Sequence, residues 1–297
     1  MSHNAAPASS AEIMLLAAPE RSILSVAGAD AESFLQGLLT NDVAAASAER
    51  AVYAALLTPQ GKFLADALLW RPEPERFVLD MAAAFAPDLK KRFALYKLRS
   101  AVTIEDAADL GALALWAEAA PSEALARAAQ ETAREISAVA SGPDPRVAAL
   151  GWRLIAPRDS ISRLAPAATT DEFQAYERKR IAEGVPAAGL DLRPNDGFVL
   201  EYGFERLQGV DFQKGCFVGQ EIVARMKHKS TLKKGLYRLR YEGPDPAPGD
   251  EILSDGKPAG SVGSALGGAA LGLLRIDRAA GALSAGAATI TAAEPIE

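Results

Sequence analysis

Short apolar runs separated by turn-forming residues dominate the first third of the chain. Three such runs are Val52 to Leu57, Phe63 to Trp70 and Phe77 to Asp80, and the turns between them are rich in proline. Extended apolar runs joined by short turns are typical of antiparallel strands. The pattern therefore predicts a three-stranded meander.

Helical spacing of apolar residues flanks this meander. Asp30 is placed to cap a short helix that runs through Leu39, and Pro87 opens a second helix. Strand and helix patterns recur between residues 113 and 167 around a predicted loop at residues 141–145. Strands and helices that alternate without a strict βαβ order predict the α+β class.

A third predicted helix runs from Asp171 to Ala182, with Asp171 or Thr170 as its cap. After Gly235 the pattern changes to short alternating runs, separated by turns about every ten residues. This spacing predicts a small antiparallel β-barrel as a separate C-terminal domain.

The predicted organisation has three parts. Residues 1–20 form a loose lead-in, residues 21–235 form two α+β subdomains, and residues 236–297 form the barrel.

The composition is that of a globular protein, with 49% apolar and 24% charged residues among 297. The net charge of -6 argues against a dedicated nucleic-acid binder, whose domain would be basic. A single cysteine forms no internal disulfide, so nothing indicates an oxidising compartment. No secretory signal and no apolar run of roughly 18 residues is found. We therefore expect a cytoplasmic protein with no membrane partner.

Cys216 is the candidate reactive residue. The residues from Gln220 to Met226 favour a helix that begins near Gly219, so the thiol should lie just before a helix N-terminus. The partial positive charge there, together with Lys214, should favour the thiolate, which attacks electrophiles and binds metals. The alternative is a thiol that only packs beneath a loop as a small apolar group.

The segment Lys214-Gly215-Cys216-Phe217-Val218-Gly219-Gln220-Glu221 resembles the signature of the YgfZ family, which is related to the aminomethyltransferase T-protein of glycine cleavage. The similarity extends to Phe34 to Val43, Thr58 to Lys62 and Arg180 to Glu201, and to the C-terminal barrel region. This resemblance implies a three-domain, ring-shaped aminomethyltransferase-like fold whose central hole holds tetrahydrofolate. It also implies a role in iron–sulfur cluster maturation, with assembly or client proteins as partners.

The resemblance further assigns roles to individual residues. Glu201 stands where the aminomethyltransferases place a carboxylate against the pterin, whose amino group and ring nitrogen offer paired donors. Without the family, Glu201 would be a solvated glutamate near a strand end. Cys216, Lys214 and Asp66 are assigned the chemistry. The other positions implied to contact folate are Asn41, Asp42, Lys62, Arg180, Gln220 and Arg225. Asn41 and Asp42 would otherwise be ordinary turn residues.

Asp66 is the candidate acid of the reacting centre. The aminomethyltransferases carry adjacent acidic residues on this hairpin strand, one of which serves methylene transfer, whereas the pair here is Ala65-Asp66. Loss of a carboxylate that steers or accepts a proton often costs about 10²-fold to 10⁴-fold in rate. The departure disfavours aminomethyl transfer, which stays the alternative to a folate-binding maturation factor.

A basic strip runs from Ile222 to Tyr241, with seven Lys or Arg residues, His228 and no acidic residue. As a solvated face it balances acids elsewhere. As a functional surface it suits the carboxylates of a folate tail, an acidic partner protein or RNA phosphates. RNA is the least favoured of these because interleaved aromatic residues are scarce.

No Cys-x-x-Cys spacing and no histidine cluster occurs, so the sequence predicts no self-contained metal site. A single cysteine supplies at most one ligand to a cluster shared with another protein, because a cluster takes about four.

Overall fold

The computed structural model describes residues 13–18, 20–118, 123–165, 169–229 and 231–296. Its strands are β1 (Ile13–Ala17), β2 (Arg21–Ala27), β3 (Val52–Leu57), β4 (Phe63–Glu73), β5 (Arg76–Ala82), β6 (Thr103–Asp106), β7 (Leu110–Ala117), β8 (Ala140–Pro143), β9 (Trp152–Pro157), β10 (Lys234–Glu242), β11 (Glu251–Ser254), β12 (Lys257–Leu266), β13 (Ala269–Arg275), β14 (Leu283–Ala285) and β15 (Ala288–Pro295). Its helices are α1 (Ala31–Gln36), α2 (Ala86–Lys97), α3 (Glu123–Glu135), α4 (Arg158–Leu164), α5 (Thr170–Ala182) and α6 (Gln220–Lys229).

The strands form two open sheets and a barrel. One open sheet has the order β3-β4-β5-β2-β6 and the other β1-β7-β9-β8. The barrel closes in the order β10-β13-β12-β11-β14-β15. The strand pairs within each sheet are antiparallel. The predicted α+β class with antiparallel sheets and a small C-terminal barrel is confirmed.

Strand β3 shows why the strands of the predicted meander have continuous apolar sequences rather than alternating ones. All six of its residues are buried, because both faces of the strand are covered. Its two faces belong to different buried clusters, with Tyr53, Ala55 and Leu57 in one and Val52, Ala54 and Leu56 in the other.

The expected loose lead-in is wrong for Ile13–Ala17. These residues form β1, which pairs with β7 from Ile13↔Ala117 to Ala17↔Leu113. The partner strand lies about a hundred residues away along the chain, so the local pattern gave no sign of the pairing. Residues 1–12 lie outside the described residues.

Three local expectations change in detail. Helix α1 ends at Gln36 rather than Leu39. The predicted loop at residues 141–145 begins as β8, which pairs with β9. Thr169, rather than Thr170 or Asp171, caps α5: its hydroxyl accepts from the backbone N–H of Glu172, whose carboxylate accepts from the backbone N–H of Thr169 at 2.7 Å. This reciprocal pair is a capping box.

The buried side chain of Thr40 connects three segments of the chain. Its Oγ1 donates to the carbonyl of Gly209 at 2.6 Å and accepts from the backbone N–H of Ala55 at 2.9 Å. The side chain is fully buried. One hydroxyl therefore connects the end of the α1 loop to β3 and to the segment before α6.

We expect Thr40→Val to destabilise the protein by about 3 kcal/mol, because it keeps the side-chain shape but leaves a buried N–H and a buried carbonyl without partners. Urea unfolding followed by circular dichroism measures the loss. Thr40→Ser should retain most of the stability, and Thr103→Val, at an exposed position of β6, should change it by less than about 0.5 kcal/mol. Equal effects of the two valine substitutions would contradict this role.

Candidate functional site

Two cavities lie at the junction of the sheets and the loops around α5 and α6. The arginine cavity has a volume of about 370 Å³. The loop cavity has a volume of about 800 Å³. The arginine cavity is lined by Arg21, Asp66, Arg146, Arg153, Phe173, Tyr176, Glu177 and Arg180, among others. The loop cavity is lined by Asn41, Asp42, Tyr53, Asp144, Arg146, Glu205, Gln208, Asp211, Phe212 and Gln213, among others.

Tyr53 and Asp66 connect the two cavities. They lie on the paired strands β3 and β4, Tyr53 lining the loop cavity and Asp66 the arginine cavity. The Tyr53 hydroxyl donates to Asp66 Oδ2 at 2.8 Å. The Tyr53 ring stacks on Phe204 at 4.9 Å, and the Arg146 guanidinium lies 5.7 Å from the ring centre. These contacts hold the phenol in one orientation.

Asp66 carries an unsatisfied acceptor at the arginine cavity. Burial raises the pKa of its carboxyl group, while Arg21 and the hydrogen bond from Tyr53 act in the opposite direction. Its Oδ1 is buried and has no hydrogen-bond partner among the described residues. A buried acceptor without a partner costs stability, and a ligand with N–H donors would satisfy it.

The cavity's arginines are paired with buried carboxylates. Arg21 Nε donates to Asp80 Oδ1 at 2.6 Å, and Arg153 Nε lies 3.6 Å from Asp80 Oδ2. Arg146 binds Asp144 through two bonds of 2.9 and 2.7 Å. Burial acts against the ionised form of Asp144, but the guanidinium of Arg146 prevails and lowers the pKa of that carboxyl. The pairs give the cavity fixed charges of both signs.

Arg180 is a structural tie as well as a cavity residue. It donates to the carbonyl of Val185 at 2.5 Å, to Asp191 Oδ2 at 3.1 Å and to Ser264 Oγ at 2.6 Å, besides its pair with Glu177. Ser264 lies on β12, so these bonds connect α5 to the barrel. Its predicted contact with folate stays a prediction.

Glu201 is buried, but it lines neither the arginine cavity nor the loop cavity. It lies in a 3₁₀ turn (Val199–Tyr202), where its Oε2 accepts from the backbone N–H of Phe198 at 3.1 Å. The structure therefore shows a capping role for this carboxylate. The expected contact with a pterin stays a prediction without geometric support.

Asn41 and Asp42 line the loop cavity and also hold its wall together. Asn41 Nδ2 donates to the carbonyls of Tyr53 at 2.8 Å and Gln208 at 2.6 Å. Asp42 Oδ1 accepts from Gln36 Nε2 and from the backbone N–H of Ala44. Asp42 makes the local hydrogen bonds of a turn residue, whereas Asn41 connects its turn to β3 and to the segment before α6. Their predicted contacts with folate stay predictions.

Lys214 anchors the loop that carries Cys216. Its Nζ donates to the carbonyls of Gln36, Leu39 and Asn41 at 2.8, 2.7 and 2.8 Å. Burial lowers the pKa of Lys214 to about 8, against the opposing effect of Asp42 and Asp211. The ammonium group is therefore committed to the end of α1, which differs from the expected role of activating the thiol.

Cys216 is an exposed free thiol in the loop between Lys214 and α6. Helix α6 begins at Gln220, as the sequence predicts, and Gln220 Oε1 accepts from the backbone N–H of Phe217 at 3.4 Å. Gly219 has a φ of +85°, and a Cβ there would lie 2.6 Å from the carbonyl oxygen of Thr58. A close approach of the loop to the β3–β4 turn explains this glycine.

The remaining predicted contacts lie away from both cavities. Lys62 Nζ donates to the carbonyl of Asp196 at 2.6 Å and lies 3.8 Å from the centre of the Phe198 ring. Arg225 is exposed on α6. Among the described residues, no group of three or more His, Cys, Asp or Glu side chains is arranged to hold a metal ion.

Sequence analysis missed Tyr53, Arg146 and Arg153 at the junction. One signal was present, because Arg153 interrupts an otherwise apolar strand, Trp152–Pro157. A buried strand rarely carries a charge unless the charge is paired. Arg146 gave no signal, since it lies in a polar loop sequence.

Comparison with known proteins defines the class. Residues 20–134 match the model of the GCVT N-terminal domain, and residues 233–296 match the CAF17 C-terminal β-barrel domain. The solved aminomethyltransferase T of the Bartonella henselae glycine cleavage system superposes with a TM-score of 0.73 at 16% identity, covering 97% of this chain and 86% of that one. The expected aminomethyltransferase-like fold is thus confirmed, and the protein is a GCVT-type protein with a CAF17-type barrel.

The curated relatives narrow this class to one family. The chain is 34% identical to the human mitochondrial iron–sulfur cluster assembly factor IBA57 over 280 residues, which is 89% of this chain and 78% of that protein. The mouse protein is 32% identical with the same coverage. This chain belongs to the IBA57 family of iron–sulfur cluster assembly factors. The predicted role in iron–sulfur cluster maturation and the relation to the T-protein are therefore supported, whereas membership of the YgfZ family itself is not confirmed.

The expected cytoplasmic location is wrong. The human and mouse relatives, and a further relative in Mycosarcoma maydis that is 31% identical, are named mitochondrial proteins. A cysteine count distinguishes reducing from oxidising surroundings but does not separate cytosol from organelle. Within the described residues, no helix has the length and apolarity that crossing a membrane requires.

We expect Lys214→Met to loosen the cysteine loop, because it keeps much of the apolar stem but removes three charge-assisted hydrogen bonds. The loss should be about 2 kcal/mol. Hydrogen exchange at the backbone N–H of Val218, which donates to the carbonyl of Gly37, reports the loosening directly. Lys229→Met, at an exposed position of α6, is the matched control. Unchanged protection in Lys214→Met would show that the loop is held by other contacts.

We expect Asp66→Asn to stabilise the protein at neutral pH and to lose that advantage in acid. Because the folded-state pKa of Asp66 lies above its unfolded value, the native state keeps a proton that the unfolded chain has released. Wild-type stability from this group therefore falls as the pH rises from the unfolded to the folded pKa. Melting temperatures of both proteins between pH 4 and pH 8 test this. A difference that is constant across this range would contradict it.

Proposed function

We propose that this protein binds tetrahydrofolate in the arginine cavity and assists the assembly or repair of iron–sulfur clusters on client proteins. The loop that carries Cys216 is proposed to meet those partners. Membership of the IBA57 family supports the assembly role. The observation that carries the folate part is Asp66, which lines the cavity and whose buried Oδ1 has no hydrogen-bond partner among the described residues.

The cavity suits a reduced pterin in size and chemistry. Its volume of about 370 Å³ lies within the range of about 300–1,000 Å³ in which drug-sized ligands bind. The pterin edge offers adjacent N–H donors, and Asp66 Oδ1 is an acceptor without a partner. Phe173 and Tyr176 supply aromatic surface, and Arg153 supplies positive charge for a carboxylate.

Exposure of Cys216 supports its role toward partners. A thiol on the surface is accessible to another protein, whereas a buried thiol is inert. It would provide one ligand to a cluster whose other ligands come from a partner, since the described residues contain no ligand cluster of their own. The cluster is then cargo rather than a resident cofactor.

A one-carbon transferase is the second candidate. Asp66 supports it, because this carboxyl group remains at the cavity although its neighbour is Ala65. When bound, tetrahydrofolate would supply the carrier for a one-carbon unit, and Asp66 would hold or move a proton beside it. Turnover of methylene-tetrahydrofolate with an amine would favour this candidate, and binding without turnover would favour the assembly role.

Calorimetric titration of tetrahydrofolate tests the proposed cavity. We expect wild type to bind and Asp66→Asn to weaken binding about 10-fold to 100-fold, because a carboxylate acceptor for N–H donors is lost. Cys216→Ser should bind as wild type does, yet fail to support cluster transfer to a client protein in a reconstituted assay. This separation would show that the pocket and the thiol serve different steps.

Asp42→Asn is the matched control, because Asp42 lines the loop cavity. If it weakens binding while Asp66→Asn does not, folate occupies the loop cavity and the assignment here is wrong. If wild type gives no heat, the folate proposal fails as a whole. Retained cluster transfer by Cys216→Ser would remove the thiol from the proposed function.

A further inference from the structure

The C-terminal end of α2 exposes apolar side chains that the proposed function does not use. Leu95 is 69% exposed, Leu98 88% and Tyr96 37%. The opposite face of the helix is buried, with Leu89 and Phe93 in the core of the five-stranded sheet. We call residues 95–100 the α2 tip. The tip is an exposed apolar surface at the end of a helix whose other face is buried.

Leu98 also occupies a backbone conformation that favours glycine. Its φ and ψ are +44° and -107°, and the backbone N–H of Ser100 donates to the carbonyl of Lys97 at 2.8 Å. These values place Leu98 near the second position of a type II′ turn, which glycine dominates. The backbone N–H of Ala101 donates to Asp30 Oδ2 at 2.7 Å and holds the turn in place. A leucine here is unfavourable both in conformation and in hydration, so folding alone does not explain it.

The chain on either side of the tip is rich in basic residues, and Asp30 places one carboxylate beside it. Between Asp88 and Glu105 the chain has no acidic residue. The basic residues in that interval are Lys90, Lys91, Arg92, Lys97 and Arg99. Lys90 pairs with Asp106 at 2.5 Å. In a protein with a net charge of -6, this local excess of cations is opposite in sign to the whole.

We propose that the α2 tip docks on an anionic lipid surface. Protruding leucines flanked by Lys and Arg combine the two forces of interfacial binding, namely insertion of apolar side chains at the headgroup boundary and attraction to anionic lipids. Lys91 and Leu95 lie one turn apart on the outward face, so cation and apolar group reach the surface together. The chain was expected to have no membrane partner because it lacks a spanning segment, but surface docking requires no span.

The shape of the tip favours a lipid surface over a protein groove. Leu98 projects almost fully into solvent, and a bilayer accepts such a projection without a complementary pocket. Protein partners bind most strongly through side chains enclosed in pockets. A docked tip would hold the protein by α2, whose buried face packs in the core of the five-stranded sheet.

Co-sedimentation with vesicles tests the proposal. We expect wild type to sediment with vesicles of equimolar phosphatidylcholine and phosphatidylglycerol, not with pure phosphatidylcholine, and to be released by raised salt. Lys91→Ala and Arg99→Ala should each weaken binding about fivefold, as expected for one cation near an anionic surface. Leu95→Ser combined with Leu98→Gly should abolish sedimentation.

The controls separate docking from stability. Leu98→Gly alone should raise the melting temperature, because glycine suits the turn, while it weakens vesicle binding. Ile276→Ser on the barrel, where Ile276 is 47% exposed, and Lys257→Ala should bind as wild type does. The proposal is overturned if wild type does not sediment with the anionic vesicles or if the double variant binds equally well. It is also overturned if light scattering shows that the same leucines instead join two copies of the chain.

Discussion

Pairing of buried guanidinium groups is the constraint on which the junction of this protein depends. An unpaired charge in the interior costs several kcal/mol, so each buried arginine needs an acid close by. Arg153 of one sheet and Arg21 of the other share Asp80, and Arg180 connects α5 to Ser264 of the barrel. These partners come from distant parts of the chain. The charges therefore fix how the two sheets and the barrel meet, in addition to what apolar packing provides.

The same constraint explains why a cavity persists at the junction. Paired side chains with fixed geometry do not collapse to fill space as aliphatic side chains do. Asp66 differs from the ion-paired carboxylates of this network, because Tyr53 satisfies one of its oxygens and the other has no hydrogen-bond partner among the described residues. Asp80 Oδ2 and Arg153 Nε also lack hydrogen bonds, but they lie 3.6 Å apart as an ion pair. Asp66 Oδ1 has neither a hydrogen bond nor an ion pair among the described residues, so it is the acceptor that a donor from outside would satisfy. This is the physical reason for placing the folate proposal there rather than at Glu201, whose carboxylate caps its own turn.

The sequence predicted those parts of the fold whose partners are neighbours in the chain. Strands β3 to β5 are joined by short turns, and the barrel strands by regularly spaced turns, so these strands could be predicted from the local sequence pattern. Strand β1 was missed because its partner β7 lies far along the chain. In the site, the cysteine loop and the start of α6 were placed correctly. The anchoring bonds of Lys214 could not be predicted, because its partners are backbone carbonyls more than 170 residues away, and such contacts have no local sequence pattern.

The positions of the thiol and of Asp66 bear on how the two halves of the proposed function are connected. The residues that lead into the cysteine loop, Asp211 to Gln213, line the loop cavity, whereas Asp66 faces the arginine cavity. Between them stands the hydrogen bond from Tyr53. A donor bound at Asp66 Oδ1 would stabilise the carboxylate and so strengthen that bond, since hydrogen bonds to an ionised acceptor are the stronger ones. Folate at Asp66 would then be connected to the loop cavity through the hydrogen bond of Tyr53 rather than by direct contact with the cysteine loop. With folate at the proposed site, this arrangement would fit control of assembly by folate better than a reaction of folate itself.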